Sequence, residues 1–147
     1  MGIEQLEPFI GEWELEAVFP NGGPTGGGAT CSFEWLLGGK FVAQRTTVPH
    51  PKGPDGFMVI SANADGGSFT QHYFDERGVV RVYAMTFEDG AWELLRVTPD
   101  FTPLDFSQRY TGRFSDDGRR IEGKWESSDD AGETWALDFQ LNYAKPA

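Results

Sequence analysis

A strict alternation of apolar and polar residues runs through nearly every segment of this chain that can form a strand. From Gly11 to Phe19, Trp13, Leu15, Ala17 and Phe19 share one side, and Glu12, Glu14 and Glu16 share the other. A period of two belongs to a pleated strand with one apolar and one wet face. The closing segment repeats the pattern, setting Trp135, Leu137, Phe139, Leu141 and Tyr143 against Thr134, Asp138, Gln140 and Asn142. Segments of this kind follow one another at hairpin spacing, which predicts an all-β fold. The expected form is a single antiparallel up-and-down barrel of about ten strands, a size that can hold a small molecule.

The turn residues divide the chain. Predicted strands run over Gly11–Phe19, Ala29–Leu37, Lys40–Val48, Phe57–Asn63, Ser68–Asp75, Val79–Glu88, Ala91–Thr98, Asp105–Ser115, Arg119–Ser127 and Trp135–Tyr143. Gly38-Gly39 and Asp89-Gly90 read as two-residue turns, and Asp65-Gly66-Gly67 and Asp116-Asp117-Gly118 as slightly longer ones. In Lys40–Val48 the two faces are equally apolar, so the inward set, and with it the direction of Arg45, stays open. Ahead of the first strand, Ile3, Leu6, Phe9 and Ile10 fall at helical spacing broken by Pro8, which suits a short helical turn plugging one barrel end. The proline-bearing stretches Pro49–Asp55 and Pro99–Leu104 are expected to gate the other end.

One domain spanning 1–147 accounts for the whole length. A net charge of −11 with only 12 basic residues argues against nucleic-acid and anionic-membrane partners. Cys31 is the sole cysteine, so no intrachain disulfide can form, and with no secretory signal visible the expected location is cytoplasmic. Aromatics make up 14% of the chain, enough either to line a cavity or to fill a small barrel outright.

Polar residues on apolar faces mark the candidate site. Gln108 and Tyr110 lie on the best-patterned strand between Phe106 and Phe114, and a buried amide or phenol must find a partner. Arg81 and Tyr83 share a face with Met85 and Phe87, and Arg96 shares one with Trp92 and Leu94. His72, on a face with Thr70 and Phe74, can serve as an inward base or an axial haem ligand, whereas His50 sits in a proline loop. No cluster has the ligand spacing of a metal site, and no nucleotide-binding or nucleophile-elbow motif is found, so no metal or cofactor is expected.

The opening Leu6-Glu7-Pro8-Phe9-Ile10-Gly11-Glu12-Trp13 resembles that of calycin-type barrels, in which a short helical turn precedes a Gly-x-Trp whose indole closes the barrel floor. Leu37-Gly38-Gly39-Lys40-Phe41, Tyr110-Thr111-Gly112-Arg113-Phe114, Gly123-Lys124-Trp125-Glu126 and the closing segment are similar to a bacterial lipocalin-like family of unknown function. The resemblance implies a barrel of roughly ten strands with an interior cavity. The haem-binding nitrobindins look like distant relatives. Their axial histidine comes from near the C-terminus, and no histidine follows His72 here.

These readings converge on a barrel that binds a small hydrophobic or aromatic molecule, as a monomer or homodimer. Trp13, Phe33, Trp35, Phe106, Tyr110 and Trp125 would wall the site, with Gln108, Tyr83, Arg45, His72 and Arg96 orienting the ligand. An alternative is a cofactor-free cyclase or isomerase using Tyr83, Tyr110 or His72 as proton donors. A third reading, a partner-binding domain with a filled core, requires an interior without a void.

Overall fold

The computed structural model describes residues 2–20, 28–49, 54–101, 103 and 105–146, together with the backbone of 23–24. Alternation becomes strands as expected: β1 Gly11–Phe19, β2 Gly23–Pro24, β3 Thr30–Leu36, β4 Phe41–Thr47, β5 Gly56–Ala62 and β6 Phe69–Asp75. These are followed by β7 Val80–Glu88, β8 Ala91–Arg96, β9 Ser107–Phe114, β10 Arg120–Ser128 and β11 Ala136–Ala144. All neighbours pair antiparallel in chain order, with the two-residue β2 hanging on the edge of β1. Glu14–Val18 of β1 pairs with Gln140–Ala144 of β11, which closes ten strands into a barrel and leaves no long open edge.

A 3₁₀ helix over Ile3–Phe9 plugs one end, as its spacing predicts. Its Phe9 ring is fully buried, with the rings of Phe33, Phe87, Trp92 and Phe114 at centroid distances of 4.9–5.2 Å. The Trp13 indole N–H donates to the Phe9 carbonyl at 2.8 Å, so the Gly11-Glu12-Trp13 stretch clamps the plug from the first strand.

Two details depart from the expected pattern. The turn after β3 spans Leu37–Lys40, with Leu37, Gly38 and Gly39 all at positive φ, and is longer than the two-residue turn expected at Gly38-Gly39. In β11 the register against β10 slips between Trp125–Phe139 and Glu126–Leu137, a bulge that leaves Asp138 over. Parity reverses there. Leu137 is therefore exposed on the outer wall, and Trp135 lies outside too, its ring 4.3 Å beneath the Arg109 guanidinium. The single inward row expected from Trp135 to Tyr143 holds only from Phe139 onward.

The β10–β11 seam has a further irregularity. Backbone pairing stops after Ile121–Tyr143 and resumes at Lys124–Gln140. In the gap, the Gly123 N–H donates to Asn142 Oδ1 at 3.1 Å, and the Leu141 carbonyl accepts from the Tyr110 hydroxyl at 2.9 Å. The phenol reaches that carbonyl only because it lies flat over Gly112 and Gly123. A Cβ on Gly123 would overlap its hydroxyl and come within 2.8 Å of the Thr111 carbonyl. Gly123→Ala is expected to cost about 1–3 kcal/mol by overpacking, and Tyr110→Phe a similar amount by leaving the carbonyl unmet. Urea unfolding measures both, and a Gly123→Ala protein as stable as the parent would contradict this packing.

Candidate functional site

Each strand delivers inward side chains at successive heights, and the heights differ in kind. At the plugged end Phe9, Trp13, Phe33, Val42, Ile60, Phe69, Met85, Trp92 and Ile121 form a dry core. Toward the other end the same strands enclose a cavity of about 460 Å³. Leu15, Met58, Leu94 and Leu141 give it aliphatic walls, and Tyr73, Tyr83, Phe106, Trp125 and Phe139 give it aromatic ones. Polar side chains line it as well, the amides of Gln44, Gln71 and Gln108 with Thr46, Arg77, Arg81 and Asp138.

Hydrogen bonds fix most of these groups. Gln71 Nε2 donates to Gln44 Oε1 at 3.0 Å, and Gln44 Nε2 donates to Cys31 Sγ at 3.5 Å, making a polar strip across the middle of the barrel. The Tyr83 hydroxyl donates to Gln108 Oε1 at 3.1 Å and stands edge-on to Tyr73, with Trp125 at a ring distance of 5.6 Å. Burial raises the phenols of Tyr73, Tyr83, Tyr110 and Tyr143 above their ordinary pKa, so they enter any interaction as neutral groups.

Three arginines serve this end of the barrel in different ways. Arg96 is 2% exposed, and its Nε and Nη2 donate to the Asp100 carboxylate at 2.8 and 2.9 Å. Asp100 also accepts from the Val82 N–H at 2.8 Å, so this pair ties the segment after β8 to β7. Arg77 holds Asp75, which also accepts from the Tyr73 hydroxyl at 2.7 Å. Arg81 has no carboxylate partner, and its guanidinium instead lies close enough to the Tyr83 hydroxyl to interact with it. Among the described residues it makes no ion pair, its Nε is buried without a hydrogen bond, and its guanidinium stands 5.9 Å from the centre of the Phe106 ring. A buried donor left unmet costs roughly 1–3 kcal/mol. The other unmet donor, Trp92 Nε1, lies in the dry half among rings.

Of the residues singled out by sequence, Tyr83, Phe106, Gln108 and Trp125 meet at the cavity. Trp13, Phe33 and Tyr110 belong to the packed core, Trp35 packs half-buried against it, and Arg96 is spent on Asp100. Arg45 points outward, over half exposed, bonded to Glu34 at 3.2 Å and stacked 4.8 Å over Phe57. His72 also lies on the outer wall, opposite Val59 and Val82, because Phe69, Gln71 and Tyr73 are the inward set of β6. An inward histidine is thus not what β6 supplies. Gln44, Met58, Gln71 and Tyr73 complete the lining without having been singled out. The signal for Gln44 lay in β3, whose inward Cys31 and Phe33 register against Thr46 and Gln44.

His50 and most of the first expected gate, together with 102 and 104 of the second, fall outside the described residues; Pro54 lies at the mouth. A larger depression of about 940 Å³ lies outside the wall over β7 to β11. It is open and lined by polar side chains such as Glu93, Thr111, Lys124 and Gln140, without the enclosure or apolar walls of a ligand cavity. Among the described residues no group of three or more His, Cys, Asp or Glu can hold a metal ion, and no helix is long and apolar enough to cross a membrane.

No family model matches the sequence, and no curated protein matches it either. The chain is similar in structure to Rv2717c from M. tuberculosis, known from a crystal structure. The TM-score is 0.66 at 14% identity, over 99% of this chain and 97% of that one. The likeness defines the class as a closed ten-stranded antiparallel barrel and shows the fold alone.

Two solution properties follow from the site. Burial would raise the Asp75 carboxyl, but hydrogen bonds from Arg77 and Tyr73 outweigh it and hold the pKa at about 2. Since the unfolded value is about 3.9, this group stabilises the fold above that pH and ceases to do so as pH falls through about 2. Asp75→Asn is therefore expected to flatten the dependence of melting temperature on pH between about 4 and 2, and equal slopes would contradict it. Burial also pushes the Cys31 thiol up to about 12, against smaller opposing hydrogen bonds from Thr46 and Gln44. Ellman's reagent at mildly alkaline pH should leave it untouched in the folded protein and react with it fully in denaturant.

Proposed function

We propose that this barrel binds a small, largely apolar or aromatic molecule in the open half of its interior. The observation that carries the reading is the cavity of about 460 Å³, walled by aliphatic and aromatic side chains with a few convergent polar groups. The sequence resemblance to lipocalin-like barrels, a family built around such cavities, supports it. The buried, unpaired Cys31 suits a cytoplasmic setting. The void argues against a filled, purely partner-binding core.

The cyclase or isomerase alternative draws little support from the geometry. Of its three proton donors, His72 faces outward and the Tyr110 hydroxyl is committed to the Leu141 carbonyl. Tyr83 alone stands at the cavity, and its hydroxyl is bonded to Gln108.

Native mass spectrometry of protein from its source, followed by fluorescence titration with apolar aromatic compounds, tests the reading. Trp125 lines the cavity, whereas Trp13 and Trp92 are sealed in the packed half. A bound compound should quench emission in the parent and lose most of that effect in Trp125→Phe. Met58→Trp fills the space from a wall position held by a flexible side chain, and should weaken binding by about tenfold or more, on the scale of one lost side-chain contact. Binding untouched by Met58→Trp would place the compound elsewhere, such as the outer depression, and would sink the proposal.

A further inference from the structure

Arg81 is the cation at the cavity that pairs with no carboxylate among the described residues, and its Nε has no hydrogen-bond partner. Asp75 is engaged by Arg77 and Tyr73, and Asp100 by Arg96 and the Val82 amide. Asp138 also lines the cavity, but from β11, with three strands between it and β7 around the wall. No described carboxylate pairs with Arg81, and its Nε is shut away from solvent with its hydrogen unspent. Next to it, Gln108 accepts from the Tyr83 hydroxyl through Oε1, and its amide nitrogen makes no hydrogen bond within the described chain. Tyr83 and Phe106 stand beside these donors as apolar faces.

A chain with net charge −11 has carboxylates to spare, and ion-pairs two arginines at this end of the barrel while leaving the third without one. A buried cationic donor left unmet beside a free amide nitrogen asks for an oxygen anion from outside the chain. We propose that the ligand is amphipathic, carrying a carboxylate on an apolar or aromatic body, and that Arg81, with the Gln108 amide, receives the carboxylate. This rests on the ligand-binding reading above and specifies the polar end of the molecule.

Calorimetric titration with naphthylacetate and its uncharged analogue naphthylacetamide tests it. The parent should bind the acid at least about tenfold more tightly than the amide, the scale of one charge-assisted hydrogen bond in a desolvated site. Arg81→Met should abolish that preference while keeping the affinity for the amide within about twofold, since the apolar walls are unchanged. It should also leave the ligand-free melting temperature about unchanged, because it removes a buried Nε donor that is unmet and breaks no ion pair. Gln108→Leu should lower the preference in part. Equal binding of acid and amide by the parent would overturn the carboxylate assignment and leave the cavity reading standing. An acid preference that survives Arg81→Met would overturn the role of Arg81. If neither compound binds, and Trp125 responds to no apolar probe, the cavity reading falls and this inference falls with it.

Discussion

The pairing of β1 with β11 is the constraint on which everything else depends. Every other neighbour in the sheet is joined by a hairpin or a short connection, and only this seam brings the two ends of the chain together. The Asn142–Glu16 side-chain bond across it spans 126 residues of sequence. Until it forms, β1 and β11 are edges with unmet backbone groups, and the interior has no shape. Closure comes at the entropic cost of long-range contact. Glu12, Glu14 and Glu16 on the outer face of β1 also keep that edge from pairing with other chains while it waits.

Within the closed wall the interior is divided by height. Phe9 and its ring of aromatic neighbours fill one half with buried side chains. The other half can then stay hollow and hold polar groups. The strip from Cys31 through Gln44 to Gln71 marks the boundary, its sulfur and amides hydrogen-bonded to one another. The high aromatic content therefore serves both ends that its amount alone left undecided: a packed floor and a lined chamber.

Most of the architecture was legible from residues alone, because alternation, turn chemistry and the plug at Leu6 and Phe9 are local signals. The points misread or left open are those where a non-local effect decides. The bulge at Asp138 cannot be seen in β11 by itself, since Trp135 and Leu137 continue the apolar rhythm and only pairing with β10 sends them outward. In β6 two rows are equally amphipathic, and Phe69 at the plugged end selects the one carrying Gln71 and Tyr73 over the one carrying His72. Arg45 was undecidable because Val42 and Ala43 are both buried, one inside the barrel and the other beneath neighbouring side chains on its outer face. At the cavity, Tyr83, Phe106, Gln108 and Trp125 could be named in advance. The glutamines that complete it needed register across three strands.

The rung at Gly123 has a mechanical consequence. A backbone rung opens only when two strands part, whereas this one is made of an asparagine amide and a phenol, and its asparagine half can be undone by side-chain rotation. The Tyr110 ring cannot rotate in place, because it is pressed over two glycines on one side and stands 5.3 Å from the Trp125 ring on the other. Trp125 forms part of the chamber wall, so the phenol that holds this rung is backed by a side chain that faces the chamber. The irregular point of the β10–β11 seam is thereby braced from inside the barrel.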